Sequence, residues 1–511
     1  MAQASASIGV EAPSATALPG DLRFSEYQPR SPSDTVLHQV VVEHLETFLE
    51  EARARSDGYG VPIFVERAFR SFIECGSLGG GFARIRCPDC GYERLLPFSC
   101  KRRGICPSCA GRRMTELSAH LVDSVIPPVP VRQWVLTLPY PLRYSLAWNH
   151  ERARGVLANF VAVVQDFYRR RAEEQGIVNS QTGAITVIQR CGSALNLNPH
   201  FHTIFLDGVF AHNEDGLLEF YPLGSLSDED VAEVLSATRD EVLTLLDKEG
   251  LLDESDSSFQ FDDLSEDSPT LAGIYSASVR GRVAMGQRSG RKVLRVGADP
   301  DSPWVVSRTP LQAHLEGFDL HAAVSIGAED RDRLEKLCRY VLRPPVVQDR
   351  LELMDDGRVL LELKTPFWDG TTHIVFEPLE LLEKIAAIIP RPRVNQLIYH
   401  GLLGPHAGWR KAVVTYGRLE EEVTECGVTG SDDGQSDSTA SLPQRRSYTW
   451  RELMARAFLI DVLKCPVCSG RMKLISVIED PRVIRKILNH LGLPTTIPTP
   501  VPARSLPIDW G

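Results

Sequence analysis

Residues 184–210 read AITVIQRCGSALNLNPHFHTIFLDGVF, two apolar stretches joined by a polar segment that contains Gly, Ser and Asn. β-Branched and aromatic residues are frequent in both stretches, so strands are predicted at residues 184–189 and 201–210. The dipeptide Asn198-Pro199 favours a turn and opens the second strand. Because helical patterns alternate with strands on both sides of this segment, it indicates an α/β or α+β core.

Two histidines stand at the start of the second strand. Side chains alternate across a strand, so His200 and His202 are expected on one face, about 6 to 7 Å apart, with Phe201 on the other. Both imidazoles could then bind one metal ion. A third ligand would be needed, and Gln189 on the neighbouring strand is one candidate. A histidine on a strand is more often an ordinary core residue, and the pattern alone leaves that alternative open.

Apolar residues at helical spacing recur along the rest of the chain. Helices are predicted at residues 36–54, 61–73, 151–174, 231–246, 330–342 and 378–389, a strand at 131–138, and a basic, strand-like stretch at 281–297. The breaker IPPVP at residues 126–130 separates the N-terminal helices from the core. A chain of 511 residues is too long for one hydrophobic core, so several domains are expected.

Eight of the eleven cysteines lie in or beside two clusters. In the first cluster, two C-x-x-C pairs are fifteen residues apart, a spacing that lets four thiolates bind one tetrahedral zinc ion. The predicted zinc ligands are Cys87, Cys90, Cys106 and Cys109. Cys75 and Cys100 lie nearby and are either core residues or alternative ligands. Reduced thiolates that bind zinc in a cytosol-like compartment fit this pattern better than a disulfide scaffold does.

The second cluster is the pair Cys465 and Cys468. Two thiolates form only half of a zinc site, which a histidine such as His490 could complete. The alternative is a pair that binds no metal, and the sequence favours neither interpretation.

Basic residues surround the first cysteine cluster. Residues 84–113 contain eight basic and two acidic residues, with Tyr92 and Phe98 between them. Positive charge beside aromatic rings is typical of nucleic-acid binding, although a solvated charged surface has the same composition. The candidate DNA-binding residues are Lys101, Arg102, Arg103, Arg112 and Arg113, with Lys336 and Arg343 further along the chain.

The net charge of −11 hides an uneven distribution. Residues 214–267 hold 18 acidic and two basic residues, and residues 419–440 hold seven acidic and no basic residues. The rest of the chain therefore has a net charge of +12, which suits contact with a phosphate backbone. No run approaches the roughly 18 to 20 apolar residues of a membrane helix, and residues 1–20 lack the pattern of an export signal. We therefore expect a cytoplasmic protein with no membrane partner.

Tyr340 is a candidate nucleophile. It lies on the predicted helix 330–342, about 130° from the centre of the apolar face. Its helical neighbours are Arg333, Lys336 and Arg343. A phenol in such a basic strip can attack a phosphodiester when cations and a metal ion favour loss of its proton. Without the histidine pair, an exposed or half-packed tyrosine would be the simpler interpretation.

The order of these motifs resembles that in rolling-circle insertion-sequence transposases. Those enzymes belong to the His-hydrophobe-His (HUH) endonuclease superfamily and carry an N-terminal transposase zinc-binding domain. Besides the cysteine cluster, the resemblance is carried by QRCGSALNLNPHFH at 189–202, LCRY at 337–340, RPP at 343–345, WDGTTH at 368–373 and HGLLGP at 400–405. It covers roughly residues 38–480.

The resemblance implies an α+β fold with an N-terminal helical zinc-binding module, an HUH-type nuclease core with a central antiparallel sheet, and a small C-terminal Cys-containing module. It also implies that His200 and His202 hold Mg²⁺ or Mn²⁺. Tyr340 would attack single-stranded DNA at element ends and leave a 5′-phosphotyrosine and a free 3′-OH. Relatives with two nucleophiles have a second tyrosine one helical turn on, where this chain has Pro344, so a single-tyrosine mechanism is expected. The alternative from a different class is a non-enzymatic zinc-ribbon regulator that binds DNA.

These patterns together predict six segments and two kinds of cofactor. The segments are a disordered leader (1–33), a zinc-binding, DNA-binding domain (34–126), a catalytic core (131–345) with an acidic insert at about 214–267, the C-terminal part of the transposase domain (346–418), an acidic linker (419–443) and a small C-terminal module with the C-x-x-C pair (444–511). The expected cofactors are structural Zn²⁺ and a catalytic divalent cation, and the expected partner is single-stranded DNA at element ends and target.

Overall fold

The computed structural model describes residues 31–251, 263–299, 309–418, 448–458 and 460–504. The predicted acidic linker, most of the predicted leader and residues 252–262 of the acidic insert lie outside the described residues. Among the helices that are described, none is long and apolar enough to cross a membrane.

The N-terminal region contains two packed helices, a short hairpin and a third helix. In chain order these are α1 (Val36–Ala54), α2 (Ile63–Glu74), β1 (Phe82–Arg86), β2 (Glu93–Pro97) and α3 (Pro107–His120). The apolar stripes of α1 and α2 meet, and the buried rings of Phe48 and Phe69 lie edge to face with 5.9 Å between centroids. A π-helical turn extends α3 to Val125, directly before the proline-rich breaker.

The core is a six-stranded sheet in which every neighbouring pair is antiparallel. Its strands are β3 (Val131–Thr137), β4 (Gly183–Cys191), β5 (Leu197–Leu206), β9 (Gln312–Leu315), β10 (Phe318–Ile326) and β14 (Leu397–Gly401). Their spatial order is β14-β4-β5-β3-β10-β9, so β4 and β5 are neighbours in the interior of the sheet. The predicted α+β class with a central antiparallel sheet is confirmed.

Helices cover both faces of this sheet because its inner strands are apolar on both sides. The helices on one face are α4 (Tyr140–Trp148), α5 (His150–Glu174) and α6 (Asp228–Lys248), and the other face packs against α9 (Arg331–Val341) and the end of α3. Within β5, Phe201 packs with the first group of helices, whereas Ile204 packs with α9. Side-chain alternation therefore puts His200 and His202 on the face beneath α9.

A second, four-stranded antiparallel sheet contributes to a separate core. Its strands, in spatial order, are β11 (Leu351–Leu353), β12 (Val359–Glu362), β13 (His373–Phe376) and β8 (Leu294–Val296). Its apolar side packs with α1, α2, α8 (Pro269–Val279) and α10 (Pro378–Ile388). The stretch predicted as strand-like at 281–297 contributes only β8, because a loop closed by an Arg282–Lys292 bridge occupies most of the rest.

The remaining described elements, in chain order, are β6 (Gly208–His212), β7 (Leu218–Pro222), α7 (Asp263–Asp267), α11 (Arg410–Thr415), α12 (Trp450–Phe458), β15 (Lys473–Ile478) and α13 (Pro481–His490).

The C-terminal residues pack on the N-terminal hairpin. β15 pairs antiparallel with β1 and completes a three-stranded sheet in the order β15-β1-β2. The C-terminal Cys-containing module is thus joined to the N-terminal hairpin by strand pairing.

Candidate active site and metal centres

Three side chains that the sequence singled out meet where α9 packs on β5. The ring centroids of His200 and His202 are 4.9 Å apart. The ring of Tyr340, near the end of α9, lies edge-on to His202 with 6.0 Å between centroids. Phe201 is buried on the opposite face of the sheet. Strand alternation and the packing of one helix thus bring a phenol and two imidazoles together.

Each histidine ring is held through its Nδ1 atom. Nδ1 of His200 lies 2.7 Å from the backbone carbonyl oxygen of Asn198, which can only accept, so this nitrogen carries the proton. The side-chain amide nitrogen of Gln133 on β3 lies 2.8 Å from Nδ1 of His202, and in this orientation it donates to that nitrogen. A 180° rotation of the amide would turn its oxygen to the ring, so that Nδ1 carries the proton. With that rotation Nε2 is free in both rings, as in histidines that bind metal ions.

The surroundings keep both imidazoles neutral. Burial lowers the pKa of His200. Burial, and then the neighbouring His200 and Arg343, lower the pKa of His202 to about 3. A neutral imidazole is the form that binds a metal ion, because a second proton would occupy the lone pair that the metal needs.

Gln189 connects the histidine strand to the helix of Tyr340. It lies directly opposite His200 in the pairing of β4 with β5. Its amide nitrogen donates a hydrogen bond of 2.7 Å to the carbonyl oxygen of Val341, the last residue of α9. The amide oxygen is left as a donor atom for a metal ion beside His200, so Gln189 stays a candidate third ligand.

Two cations flank the ring of Tyr340. The guanidinium of Arg343 lies 4.6 Å from the ring centroid, and the ammonium group of Lys364 lies 5.7 Å from it. The Tyr340 side chain is 42% exposed, so a substrate can reach it from solvent. Positive charge at this position attracts a phosphate group.

Tyr340 lines a cleft of about 1060 Å³. Helix α3 with the loop before it, β4, and the segments that follow α9 form its walls. Its basic residues are Arg103, Arg113, Arg190, Arg343, Arg350 and Lys364, and it has one acidic residue, Glu116. Phe367 and Trp368 add aromatic rings, and Trp368 is 58% exposed. Cations beside an exposed aromatic ring form the kind of surface that binds a single nucleic-acid strand.

A network of hydrogen bonds fixes the loop that carries Trp368. The carboxylate of Asp369 accepts from the backbone N–H and the hydroxyl of Thr371, at 3.0 and 2.7 Å. It also pairs with Arg295 at 2.9 Å. The bonds from Thr371, and then Arg295, lower the pKa of Asp369. The carboxylate therefore stays ionised and holds the loop at the cleft.

The predicted DNA-binding residues divide into two groups. Three of them line the cleft: Arg103, Arg113 and Arg343. The other four are exposed outside its walls: Lys101, Arg102, Arg112 and Lys336. Arg190, Arg350 and Lys364 also line the cleft, although they were not among the DNA-binding residues predicted from sequence. Only Arg190 had a local signal, because it directly follows Gln189 in the histidine motif.

The structure gathers the cysteines into two groups of four. The first consists of Cys75, Cys100, Cys106 and Cys109, whose sulfur atoms all lie within 4.8 Å of one another. The Cys75–Cys106 and Cys100–Cys109 sulfur distances are both 3.5 Å. Sulfurs about 2.3 Å from a tetrahedral zinc ion lie about 3.8 Å apart, so this group fits a structural zinc site.

The second group combines the two ends of the chain. It consists of Cys87, Cys90, Cys465 and Cys468, again with all sulfur atoms within 4.8 Å of one another. His490, considered above as a partner for the C-terminal pair, is in neither group found among the described residues.

The prediction that Cys87, Cys90, Cys106 and Cys109 bind one zinc ion is therefore wrong. Cys87 and Cys90 form the turn at the tip of the β1–β2 hairpin. Cys106 and Cys109 instead open α3 and meet Cys100, just beyond the other end of β2. The five-residue strand β1 spans roughly 16 Å, too far for both pairs to share an ion. Cys75 and Cys100, left open from sequence, complete the first group.

Comparison with known protein families gives two matches. Residues 42–138 match the transposase zinc-binding domain of the IS91 type, and residues 183–410 match the family described as putative transposase. The comparisons with curated proteins and with solved structures found no match. The first match includes the whole of the first cysteine group, and the second includes the histidine pair and Tyr340. In chain order, the protein is thus similar first to a transposase zinc-binding domain and then to the putative transposase family.

Proposed function

We propose that this protein is a transposase that nicks and rejoins single-stranded DNA at the ends of a mobile element, through a 5′-phosphotyrosine on Tyr340. The family matches imply transposase function and DNA binding. The observation that carries the finer proposal is the meeting of His200, His202 and Tyr340 beside a basic cleft. That arrangement is the reason to assign the HUH type of chemistry.

The cleft would bind one DNA strand through its backbone and its bases. Six basic side chains against one acidic side chain would neutralise successive phosphates. The exposed ring of Trp368 would stack on a base, which a base-paired strand does not offer. Residues from both matched regions line the cleft. The region that matches the zinc-binding domain would therefore contribute directly to substrate binding.

His200 and His202 would hold the catalytic divalent cation, Mg²⁺ or Mn²⁺, through their Nε2 atoms. When bound, the cation would polarise a non-bridging oxygen of the scissile phosphate. The donor set fits this role, because Asn198 holds Nδ1 of His200 and Gln133, with its amide rotated by 180°, would hold Nδ1 of His202 in the same way. An amide oxygen of Gln189 is adjacent.

Tyr340 would carry out the covalent step. Its phenolic oxygen attacks phosphorus, a bond forms between this oxygen and the 5′ phosphate, and the bond from phosphorus to the preceding 3′ oxygen breaks. The phenol gives up one proton and the leaving 3′ oxygen takes one up, so protons balance. Arg343 and Lys364, which lie beside the ring, would stabilise the negative charge of the phosphate during the attack.

Rejoining is the reverse step with a different 3′-OH. The incoming hydroxyl attacks the phosphotyrosine, and the phosphate leaves Tyr340. One phosphodiester replaces another, so no external energy source is required. Pro344 occupies the position one turn beyond Tyr340, and a single covalent link per chain follows.

The test is adduct formation with labelled DNA. Full-length protein is incubated with Mn²⁺ and single-stranded oligonucleotides that tile the DNA flanking its gene. A 3′ label should migrate with the protein in a denaturing gel, because the 5′-phosphotyrosine retains the 3′ fragment. A 5′ label should appear on a free fragment whose 3′-OH a polymerase can extend. Label on the opposite fragments would overturn the proposed polarity.

Tyr140 provides a matched control for Tyr340. The two side chains are 43% and 42% exposed, and each has an arginine over its ring, Arg143 at 5.6 Å and Arg343 at 4.6 Å. Tyr340→Phe should bind DNA without forming an adduct, and Tyr140→Phe should form it as the wild type does. Specific DNA binding by the wild type with no adduct under any divalent cation would favour the zinc-ribbon regulator instead.

A further inference from the structure

We propose that Cys87, Cys90, Cys465 and Cys468 form a second structural zinc site, which fastens the C-terminal segment to the N-terminal hairpin. The C-terminal segment means the described residues 460–504. Two of these ligands, Cys465 and Cys468, lie outside both family matches, which end at residues 138 and 410. The two cysteine pairs are about 375 residues apart in the chain.

The sulfur positions fit a metal ion and not disulfides. The Cys87–Cys468 sulfur distance is 3.4 Å and the Cys90–Cys465 distance is 3.6 Å. A disulfide has a sulfur–sulfur distance of about 2.05 Å, whereas sulfurs around a tetrahedral zinc ion lie about 3.8 Å apart. All four sulfurs converge on one point within 4.8 Å, as a shared ion requires.

The two C-x-x-C turns have the same backbone structure. In each, the carbonyl oxygen of the first cysteine accepts a hydrogen bond from the N–H four residues on, at 3.0 Å for Cys87 and 2.9 Å for Cys465. In each, the N–H of the first cysteine donates to the carbonyl five residues on, at 2.8 Å. The pair at 106–109 instead begins a helix. Two equivalent turns that face each other present four thiolates from opposite sides, as in a zinc ribbon.

The burial of two of these side chains also fits a structural site. Cys87 and Cys465 are buried, at 0% and 1% exposure. Zinc is the usual ion for a site of four cysteines.

The apolar contacts of the C-terminal segment with the hairpin are small. One buried cluster contains Ile85 and Met472 beside two of the cysteines, and another contains Phe82 with Ile484 and Leu488. Clusters of this size rarely hold a segment without a metal ion or a disulfide. The zinc site would therefore supply much of the attachment of β15 to β1.

Helix α12 is anchored independently of this site. Arg456 on α12 pairs with Asp123 at 2.8 Å and with Glu335 on α9 at 2.7 Å. Loss of the second zinc ion should therefore release β15 while α12 keeps its place. This difference separates a local fastening from a general loss of structure.

The experiment measures metal content and amide exchange on full-length protein. Elemental analysis should find two zinc ions per wild-type chain and one in the variant Cys465→Ser/Cys468→Ser. Hydrogen exchange in that variant should speed up by at least about tenfold in β15, with α1 and α12 unchanged. Cys191→Ser, outside both groups, is the matched control and should keep two zinc ions.

Several outcomes would overturn the proposal. They are one zinc ion in the wild type, two in the double variant, iron in place of the second zinc, or a β15 that stays protected after the ion is lost. If the double variant does not fold, native mass spectrometry of the wild type during chelator titration replaces it. Two successive zinc losses, the first accompanied by faster exchange in β15 alone, would support the site, and a single simultaneous loss would contradict it.

Discussion

The histidine–tyrosine cluster and the two cysteine groups are held together in different ways. His200 and His202 are two residues apart on one strand, so backbone alternation alone fixes the face that they share. Cys87 and Cys468 meet only because β15 pairs with β1. Residue spacing is therefore a good guide to geometry within one element and a poor guide between elements.

The two regions should also differ in what the loss of a ligand does. The histidines are carried by an inner strand of a sheet packed on both faces, so the fold does not depend on a metal ion there. The second cysteine group lies among short elements with small apolar clusters, whereas the first lies in the large core that α1 and α2 share with the second sheet. In both groups, zinc binding by four cysteines is expected to be coupled to folding. Ligand variants should abolish chemistry in the first region and lower stability in the second.

The largest effect is expected from His202→Ala. Loss of one of two imidazole ligands should lower the rate of adduct formation by more than about 100-fold, with DNA affinity nearly unchanged because the cleft cations remain. Gel assays of cleavage and fluorescence anisotropy of binding measure the two effects. His314→Ala, which removes an exposed histidine of β9, should behave as the wild type. A His202→Ala protein that still cleaves in chelator would separate the histidine pair from catalysis.

Cys106→Ser should mainly lower the stability of the protein. It removes one ligand of the first cysteine group, at the start of α3, and should lower the free energy of unfolding by at least about 3 kcal/mol together with the loss of one zinc ion. DNA affinity should also fall, because Arg103 and Arg113 line the cleft from this region. Urea unfolding and elemental analysis measure these effects. A variant with full zinc content and unchanged stability would contradict the grouping of this cysteine.

Gln133→Ala should have a smaller and more specific effect. The side-chain amide of Gln133 holds Nδ1 of His202, so its loss should raise the Mn²⁺ concentration needed for half-maximal cleavage by about tenfold. The rate at saturating Mn²⁺ should change little. Gln133→Glu, whose carboxylate can accept from the same nitrogen, should restore the metal dependence. An unchanged Mn²⁺ requirement in Gln133→Ala would show that this contact does not orient the ring.

The smallest effect should distinguish two exposed lysines. Lys364 lies in the cleft beside Tyr340. Lys336 lies on α9, one turn before Tyr340, and is outside the cleft walls. Lys364→Ala should lower affinity for single-stranded DNA and reduce the salt dependence by about one phosphate contact. Lys336→Ala should do neither. Equal salt dependence in both variants would place the DNA on a wider surface than the cleft.

Periodicity predicted most of the secondary structure. The helix predicted at 36–54 corresponds to α1 (Val36–Ala54), and the one predicted at 330–342 corresponds to α9 (Arg331–Val341). The strand prediction for residues 281–297 was mostly wrong, because most of this basic stretch forms a loop anchored by buried Glu383. The backbone N–H groups of Ala284 and Met285 bond to that carboxylate instead of to a neighbouring strand, and no local pattern encodes this contact.

The candidate site was predictable in the parts that one element fixes. The shared face of His200 and His202 follows from β5, and the position of Tyr340 off the apolar stripe follows from α9. Arg350 and Lys364 reach the cleft because the segments next to the second sheet lie beside β4 and α3. A single sequence does not reveal this packing. The grouping of the cysteines was predicted wrongly for the same reason. It depends on which pair lies at the tip of the β1–β2 hairpin and which lies beyond its other end.

The central claim, that Tyr340 is the single nucleophile, is tested most directly by mapping the covalent link. Cleavage of the wild-type adduct before aspartate releases residues 332–348, in which Tyr340 is the only tyrosine and which contain no serine or threonine. Mass spectrometry should find the nucleotide on this peptide, with fragmentation placing it on Tyr340. A nucleotide on Tyr399, Tyr416 or any other residue would contradict the single-tyrosine mechanism.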